Sequence, residues 1–188
     1  MRYADDAVLG FESKADAERV LRVLPKRFEK YGLQLHPEKT RLLPFGRPPR
    51  NGPPYVEPGT FNFLGFTHYW GTGRNGNWVL KRGTAKDRFS RALRAIRAAC
   101  RQMCHWSLAE QHSVLSQKVR GHYAYYGITG NGAALTRFRE EVKRAWQYWL
   151  NRRSGHPAMP WERFNARVNR FYALPPARVV HSALVAKP

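Results

Sequence analysis

The stretch Met1-Arg2-Tyr3-Ala4-Asp5-Asp6-Ala7-Val8-Leu9-Gly10-Phe11 places two adjacent acids between an aromatic residue and an apolar run. This pattern predicts a strand, a tight acidic turn and a second strand, so that the turn lifts both carboxylates clear of the sheet. Unpaired acids held this close repel each other unless a cation neutralises them, and hard oxygen ligands favour magnesium. A solvated hairpin turn is the alternative interpretation, because aspartate is common in turns.

The charge balance points to a polyanionic partner. The 188 residues contain 33 Lys and Arg against 13 Asp and Glu, a formal net charge of +20. Self-repulsion on this scale is costly unless a polyanion neutralises it, and nucleic acid is the leading candidate. The chain contains no apolar run of spanning length and no signal peptide, so we expect no membrane partner and a cytoplasmic location. Cys100 and Cys104 lie four apart in a helical pattern, and we interpret them as reduced thiols rather than zinc ligands.

A helix is predicted after the first hairpin. Ser13 and Asp16 form a capping-box signal, and Gly32 suits the residue just past the helix end. Pro25 removes one backbone donor, so we expect a kink or a break into two shorter helices. The apolar residues at helical spacing are Val20, Leu21, Leu24, Phe28 and Tyr31.

Further strands are predicted up to residue 80. Leu33–His36 and Lys39–Leu43 have strand character on either side of a turn, and Gly46–Gly59 is a loop or short linker rich in Pro and Gly. Phe61–Tyr69 and Trp78–Leu80 then predict a hairpin, whose structural role could be to pack the sheet onto helices.

From Thr84 onward the pattern becomes helical. Thr84 with Asp87, and Ser107 with Glu110, predict helix starts, and Gly121 suggests close packing or close approach to a partner. The predicted apolar seams are Phe89, Leu93, Ile96, Cys100 and Met103, then Leu108, Leu115, Val119, His122, Tyr123 and Tyr126, then Leu135, Phe138, Val142, Ala145, Trp146 and Trp149, and last Trp161, Phe164, Val168 and Phe171.

The first of these helices carries a row of arginines opposite its apolar seam. Between Asp87 and Glu140 the only acid is Glu110, so nothing nearby in the sequence balances the row. Guanidinium groups at this spacing suit successive phosphates, whereas a solvated helix face usually mixes both signs. The predicted nucleic-acid contacts are Arg88, Arg91, Arg94, Arg97, Arg101, Lys118, Arg120, Tyr125, Arg139, Lys143 and Arg144.

Four segments, in order, resemble reverse transcriptases encoded by group II introns. Tyr3–Asp6 is similar to the acidic turn of the palm, and Gly32–Thr40 to the conserved block that follows it. Phe63–Phe66 resembles the primer-grip hairpin. Arg120–Gly127 resembles the signature of the maturase-specific region, also called domain X or thumb.

The resemblance implies a role for each segment. Asp5 would be a direct ligand, and Asp6 its neighbour, in a two-metal Mg²⁺ site. Lys39 would steady the triphosphate or protonate the leaving pyrophosphate, unless it is an ordinary surface lysine. The primer grip would consist of Phe63, Leu64, Gly65 and Phe66. Tyr125 would contact RNA.

The implied fold is α+β: a partial antiparallel palm of hairpins and one helix over residues 1–82, then an all-helical thumb over 83–188. The implied partners are group II intron RNA, an RNA/DNA primer-template and the missing N-terminal half of the polymerase. The family carries a third catalytic carboxylate upstream of the acidic turn, and none precedes it here, so we expect that the chain would not polymerise alone. In the family an apolar residue, often valine, precedes the arginine of the acidic box, whereas Met1 stands there in this chain. We therefore expect a misassigned start in a longer gene or a truncated copy.

Two classes of function stay open. The first is a fragment of an RNA-directed DNA polymerase that contributes two metal-binding aspartates. The second is a non-catalytic RNA-binding maturase module that assists intron splicing.

Overall fold

The computed structural model describes residues 1–49, 59–73, 75–153 and 157–181. The fold is α+β, as predicted, and divides into two compact units, Met1–Lys81 and Arg82–Pro188. The roles of palm for residues 1–82 and thumb for 83–188 stay predictions.

The acidic turn joins the two strands of the first hairpin. Strands β1 (Arg2–Tyr3) and β2 (Asp6–Ala7) pair antiparallel, with Tyr3 opposite Asp6. Ala4, the first residue of the two-residue turn, has φ +48°, as in a type II′ turn. The predicted strand, acidic turn and strand are confirmed.

Helix α1 spans Lys14–Glu29 and continues through Pro25, so the predicted break into two helices is wrong. The ring of Pro25 is exposed, and proline removes only one backbone hydrogen bond. The hydrogen bonds of the remaining turns are enough to keep the helix continuous. Ser13 is the N-cap, but its side chain makes no capping hydrogen bond. Gly32 has φ +67° and ends the helix in a Schellman motif, in which the Leu33 amide donates to the Phe28 carbonyl at 3.0 Å.

The strands predicted at Leu33–His36 and Lys39–Leu43 do not form. Residues 37–39 form a turn instead, in which the amides of Lys39 and Thr40 both donate to the carbonyl of His36, at 3.3 and 3.0 Å. A two-stranded ribbon is marginal without a third strand or a packed face, and Pro37 lacks an amide donor.

The hairpin predicted from Phe61 to Leu80 is a three-stranded meander. Its strands are β3 (Phe61–Phe63), β4 (Phe66–Thr72) and β5 (Trp78–Thr84), in the order β3-β4-β5. The prediction of one continuous strand over Phe61–Tyr69 is wrong, because the chain reverses at Leu64 and Gly65. Their φ values of +50° and +75° are those of a type I′ turn.

The segment before the meander is held against it. The indole of Trp70 donates to the Phe45 carbonyl at 3.1 Å, and that of Trp78 to the Pro49 carbonyl at 3.0 Å. The ring of Phe45 meets that of Phe61 edge to face, with centroids 4.9 Å apart. Residues 46–49 of the predicted loop have no regular secondary structure, and residues 50–58 of it lie outside the described residues.

The second unit consists of helices α2 (Lys86–Gln102), α3 (Leu108–Tyr126), α4 (Gly132–Leu150) and α5 (Trp161–Phe171). Helices α2 and α4 run parallel, because Phe89 meets Phe138 near their starts and Arg101 meets Trp149 near their ends. Helix α3 runs antiparallel to α4, and the buried indole of Trp146 donates to the Gln111 side chain near the start of α3 at 2.7 Å.

The seam of α2 is buried in full, as predicted, and most of the other predicted seam residues are buried too. Leu108, Tyr126, Trp149 and Trp161 are half-buried, and Phe171 is exposed. These seams form a single hydrophobic core in the second unit.

Of the two caps predicted for these helices, one forms. Ser107 and Glu110 make the full capping box at the start of α3. Thr84 does not cap α2, whose N-cap is Ala85. Instead its amide and hydroxyl bond to the buried side chain of Asn131, at 3.0 and 2.8 Å, and Asn131 also donates to the Tyr126 carbonyl at 2.8 Å.

The C-terminal tail lies along α3 and α4. Arg139 donates twice to the carbonyl of the buried Leu174, at 3.2 and 3.0 Å, and the Tyr123 hydroxyl donates to the Pro175 carbonyl at 3.3 Å. Beyond them His181 forms a parallel bridge with Ile128.

Both cysteines are free, and burial raises the pKa of the Cys100 thiol to about 12. No described helix has the length and apolar character needed to cross a membrane.

Candidate functional site

The two acids of the first hairpin are exposed. Asp5 is the second residue of the turn and Asp6 begins β2. The first turn residue, Ala4, accepts a hydrogen bond from Arg2 Nε at 3.2 Å through its carbonyl. The hairpin thus presents both carboxylates to solvent.

These carboxylates suit magnesium by type, but they do not complete a site. Magnesium is coordinated by oxygen ligands in a near-octahedral arrangement, and a pair of aspartates supplies fewer than half of those ligands. Within residues 1–49, 59–73, 75–153 and 157–181 there is no group of three or more His, Cys, Asp or Glu that could hold a metal ion. The described part of the chain therefore offers two of the ligands that a two-metal centre needs.

The other predicted residues of the first unit lie on two separate turns. Lys39 is exposed on the turn after His36. Phe63 is buried at the end of β3, whereas Leu64, Gly65 and Phe66 are half-buried at the type I′ turn. The predicted primer grip is therefore a tight turn whose backbone comes close to the surface.

The predicted arginine row lies on α2. Arg88, Arg91, Arg94, Arg97 and Arg101 are all exposed. Arg88 Nε lies 3.4 Å from Asp87 Oδ2, and the salt bridges seen among the described residues involve none of the other four. With a rise of about 1.5 Å per residue, the row covers about 20 Å of helix. Four of its charges thus remain available to an anionic ligand.

The predicted contacts on α3 are also accessible. Lys118 and Arg120 are exposed, and the ring of Tyr125 is exposed and lies 4.8 Å from the half-buried Tyr126. Gly121 follows Arg120 on the same helix, and no atom lies within 4 Å of the position that a Cβ would take there. The prediction that Gly121 allows close packing is therefore wrong for the described residues. Close approach of a partner at Gly121 stays a prediction.

Two of the three predicted contacts on α4 hold the fold together. Lys143 is buried, and its ammonium donates to Glu140 at 3.0 Å and to Asn165 at 3.1 Å, so a phosphate cannot reach it in this arrangement. Arg139 holds the tail at Leu174. Arg144 is exposed, with its guanidinium 4.9 Å from the Trp161 ring centroid.

Sequence reasoning missed a groove between the ends of α2 and α4. It has a volume of about 570 Å³ and is lined by Arg97, Ala98, Arg101, Gln102 and Trp149. Trp149 was assigned to the apolar seam, which explains only its buried part. The spacing of Arg97 and Arg101, at i and i+4, indicates that the two arginines share one helix face, but no sequence signal places Trp149 of α4 beside them.

A comparison with protein families supports part of the predicted resemblance. Residues 1–68 match the family model described as reverse transcriptase (RNA-dependent DNA polymerase). The matched region includes the acidic hairpin, α1, Lys39 and the Phe63–Phe66 turn. No curated protein and no solved structure matches the chain.

Proposed function

We propose that this chain is part of a reverse transcriptase of the group II intron type, whose C-terminal helices bind intron RNA as a maturase does. The match of residues 1–68 to reverse transcriptases supports the polymerase part of this proposal. The RNA-binding part is supported by one observation above all, the exposed and largely uncompensated arginine row of α2. A surface of this kind binds phosphates and makes affinity depend steeply on salt.

In this proposal Asp5 and Asp6 supply two oxygen ligands to Mg²⁺, and a third carboxylate comes from outside the described residues. The magnesium would neutralise charge on the transferring phosphoryl group. Lys39 is proposed to contact the triphosphate. Residues Phe63–Phe66 are proposed to hold the primer terminus through the exposed part of their turn. The chain alone is not expected to extend a primer. We also propose a cytoplasmic location.

Binding to RNA tests the maturase part. Filter binding across a salt series should show tighter binding to group II intron RNA than to unrelated RNA of the same length. Arg91→Gln with Arg94→Gln should weaken binding and reduce the salt slope by about 0.7 to 1 per arginine. A matched control is Arg22→Gln with Lys26→Gln, which removes the same charge from exposed positions of α1. A steep slope without preference for intron RNA would reduce the proposal to non-specific adhesion.

The non-catalytic maturase module is the second candidate. It is favoured by the exposed arginine row of α2, which can bind RNA phosphates without any metal site or chemical step. A primer-extension assay distinguishes the two candidate functions. In it, this chain is supplied with the upstream fingers and palm of a group II intron reverse transcriptase. Loss of extension in Asp5→Ala and Asp6→Ala, with extension retained in the exposed control Asp16→Ala, supports the polymerase. Unchanged extension in all three variants contradicts a catalytic role for the hairpin.

A further inference from the structure

The groove between the ends of α2 and α4 combines features that fit a planar, negatively charged ligand. Its five lining residues include two arginines and a tryptophan and no acid. Because α2 and α4 run parallel, their last turns lie side by side, and the short Ala98 leaves space between the longer side chains. Its volume of about 570 Å³ falls within the usual range for small-ligand sites of about 300 to 1,000 Å³.

Trp149 and Arg101, which both line the groove, give it stacking surfaces, and Arg152 and Tyr148 lie beside Trp149 outside the lining. The guanidinium of Arg101 lies 5.9 Å from the Trp149 ring centroid, and that of Arg152 lies 6.0 Å from it. Arg152 also lies 5.0 Å from the ring centroid of the exposed Tyr148. Indole rings and guanidinium planes are the surfaces on which unpaired nucleobases stack in RNA-binding proteins.

Trp149 differs from the core tryptophan of the same helix. Trp146 is fully buried and its indole nitrogen donates to Gln111. Trp149 is partly buried against the core and also lines the groove. Core packing therefore accounts for Trp146 in full but for Trp149 only in part.

We propose that this groove binds one unpaired RNA nucleotide, with the base stacked on Trp149, the adjoining phosphates on Arg97 and Arg101, and the base edge against the Gln102 amide. The inference rests on the proposed RNA-binding function and adds that part of the bound RNA is single-stranded. An acidic peptide fits less well, because the groove presents no strand edge and most peptide side chains offer no aromatic face.

The test compares two single-stranded RNAs of about 12 nucleotides, an oligoadenylate and the same RNA with abasic sugars at its central positions. Both carry the same phosphate charge, so any difference in affinity reports the bases. We expect the protein to bind the oligoadenylate about 5- to 100-fold more tightly. Trp149→Leu should remove this difference while affinity for the abasic RNA and for an RNA duplex stays unchanged.

Trp161→Leu is the matched control, since Trp161 also lies beneath an arginine but outside the groove. It should preserve the preference for bases. Gln102→Ala changes an exposed residue and should reduce discrimination between adenine and other bases, which keeps the test decisive if Trp149→Leu unfolds.

Equal affinity of the unaltered protein for abasic and base-containing RNA would overturn the groove, even if duplex and intron RNA still bind. Competition by an oligoglutamate as effective as that by oligoadenylate would overturn it in favour of a peptide site. Failure to bind any RNA would overturn both this inference and the proposed function.

Discussion

Two turns of the first unit place a residue with a side chain in the left-handed region of backbone space. Ala4, before the acids, has φ +48°, and Leu64, in the predicted primer grip, has φ +50°. Each is the first residue of a two-residue hairpin turn, where Gly, Asn or Asp is preferred. The conformation costs about 1 to 2 kcal/mol for an ordinary L-residue, and strain of this kind concentrates at functional sites. Both turns lie within the region that matches reverse transcriptases.

Replacing Leu64 with Asn should stabilise its hairpin by about 0.5 to 1 kcal/mol, because Asn tolerates positive φ. The expected result is slower hydrogen exchange of the β3 and β4 amides. Leu80→Asn is the control, since it makes the same change of side chain within β5, at a position without a positive φ. That change should leave exchange unchanged or faster. Faster exchange in Leu64→Asn would show that Leu64 stabilises the turn through its packing.

His122 should make the stability of the second unit depend on pH. Its ring stacks on that of Phe138 with centroids 3.8 Å apart, and its Nε2 is buried without a hydrogen-bond partner in the described structure. Burial lowers the pKa of His122 from 6.5 to about 4, so the native state holds the neutral form. Between these values the unfolded state binds a proton that the native state does not. The free energy of unfolding should therefore fall as pH drops from 6.5 to about 4, by about 2 kcal/mol after allowance for solvent screening.

Urea unfolding at several pH values measures this effect. His122→Phe should remove the His122 part of the pH dependence, because phenylalanine can stack in the same place and has no proton to gain. His105→Gln, which removes a histidine from an exposed position, is the matched control. If the free energy of unfolding depends on pH in the same way in the unaltered protein and in His122→Phe, then His122 takes up its proton in the native state as it does in the unfolded state.

At the scale of elements, the helices of the second unit were predictable because their signal is local. The residues Phe89, Leu93 and Ile96 repeat at helical spacing and are buried, and the Ser107 capping box needs only four consecutive residues. Strands depend on partners elsewhere in the chain. Residues 33–43 have strand character in the sequence, but none of the described strands pairs with them, and they form a turn and irregular segments.

The candidate sites divide in the same way. The arginine row follows from periodicity, so its exposure could be predicted from α2 alone. The burial of Lys143 depends on Glu140 and on Asn165 of another helix, and the groove depends on the parallel arrangement of α2 and α4. Neither relation is encoded in the spacing of one helix. Thr84 likewise forms hydrogen bonds with Asn131 instead of capping α2, and Asn131 lies 47 residues further along the chain.

Substitution of alanine for two glycines, one within α3 and one at its end, should change the stability of the second unit in opposite directions. A Cβ on Gly127, which ends α3, would clash with the Tyr123 carbonyl oxygen and lie 3.1 Å from that of Arg178. Gly127→Ala should therefore destabilise the second unit by about 2 kcal/mol or more. Gly121→Ala meets nothing within 4 Å and should stabilise the helix by about 0.5 to 1 kcal/mol.

Urea unfolding followed by circular dichroism measures both changes, and each variant is the control for the other. Weaker RNA binding by a stable Gly121→Ala would support close approach of RNA at that position. A neutral Gly127→Ala would mean that the end of α3 and the tail can move apart without cost.

At the scale of the whole molecule, burial is distributed unevenly between the two units. Among the described residues of the first unit, Ala17, Pro48 and Phe63 are buried, whereas four helices of the second share one core. Burial of apolar surface is the main favourable term in folding. The second unit therefore has its own source of stability, and the first has little by comparison.

Hydrogen exchange of the intact chain should reveal this difference directly. After correction for intrinsic rates, amides within α2, α3 and α4 should exchange orders of magnitude more slowly than those of β1, β2 and α1, because opening the first unit exposes little apolar surface. The meander β3–β5 should fall between them, since Trp70 and Trp78 tie it to the segment before it. Adding intron RNA should slow exchange around the arginine row of α2 without protecting the exposed face of α1. Equal protection in both units of the free chain would contradict the split, because it would require the first unit to unfold only together with the helical core.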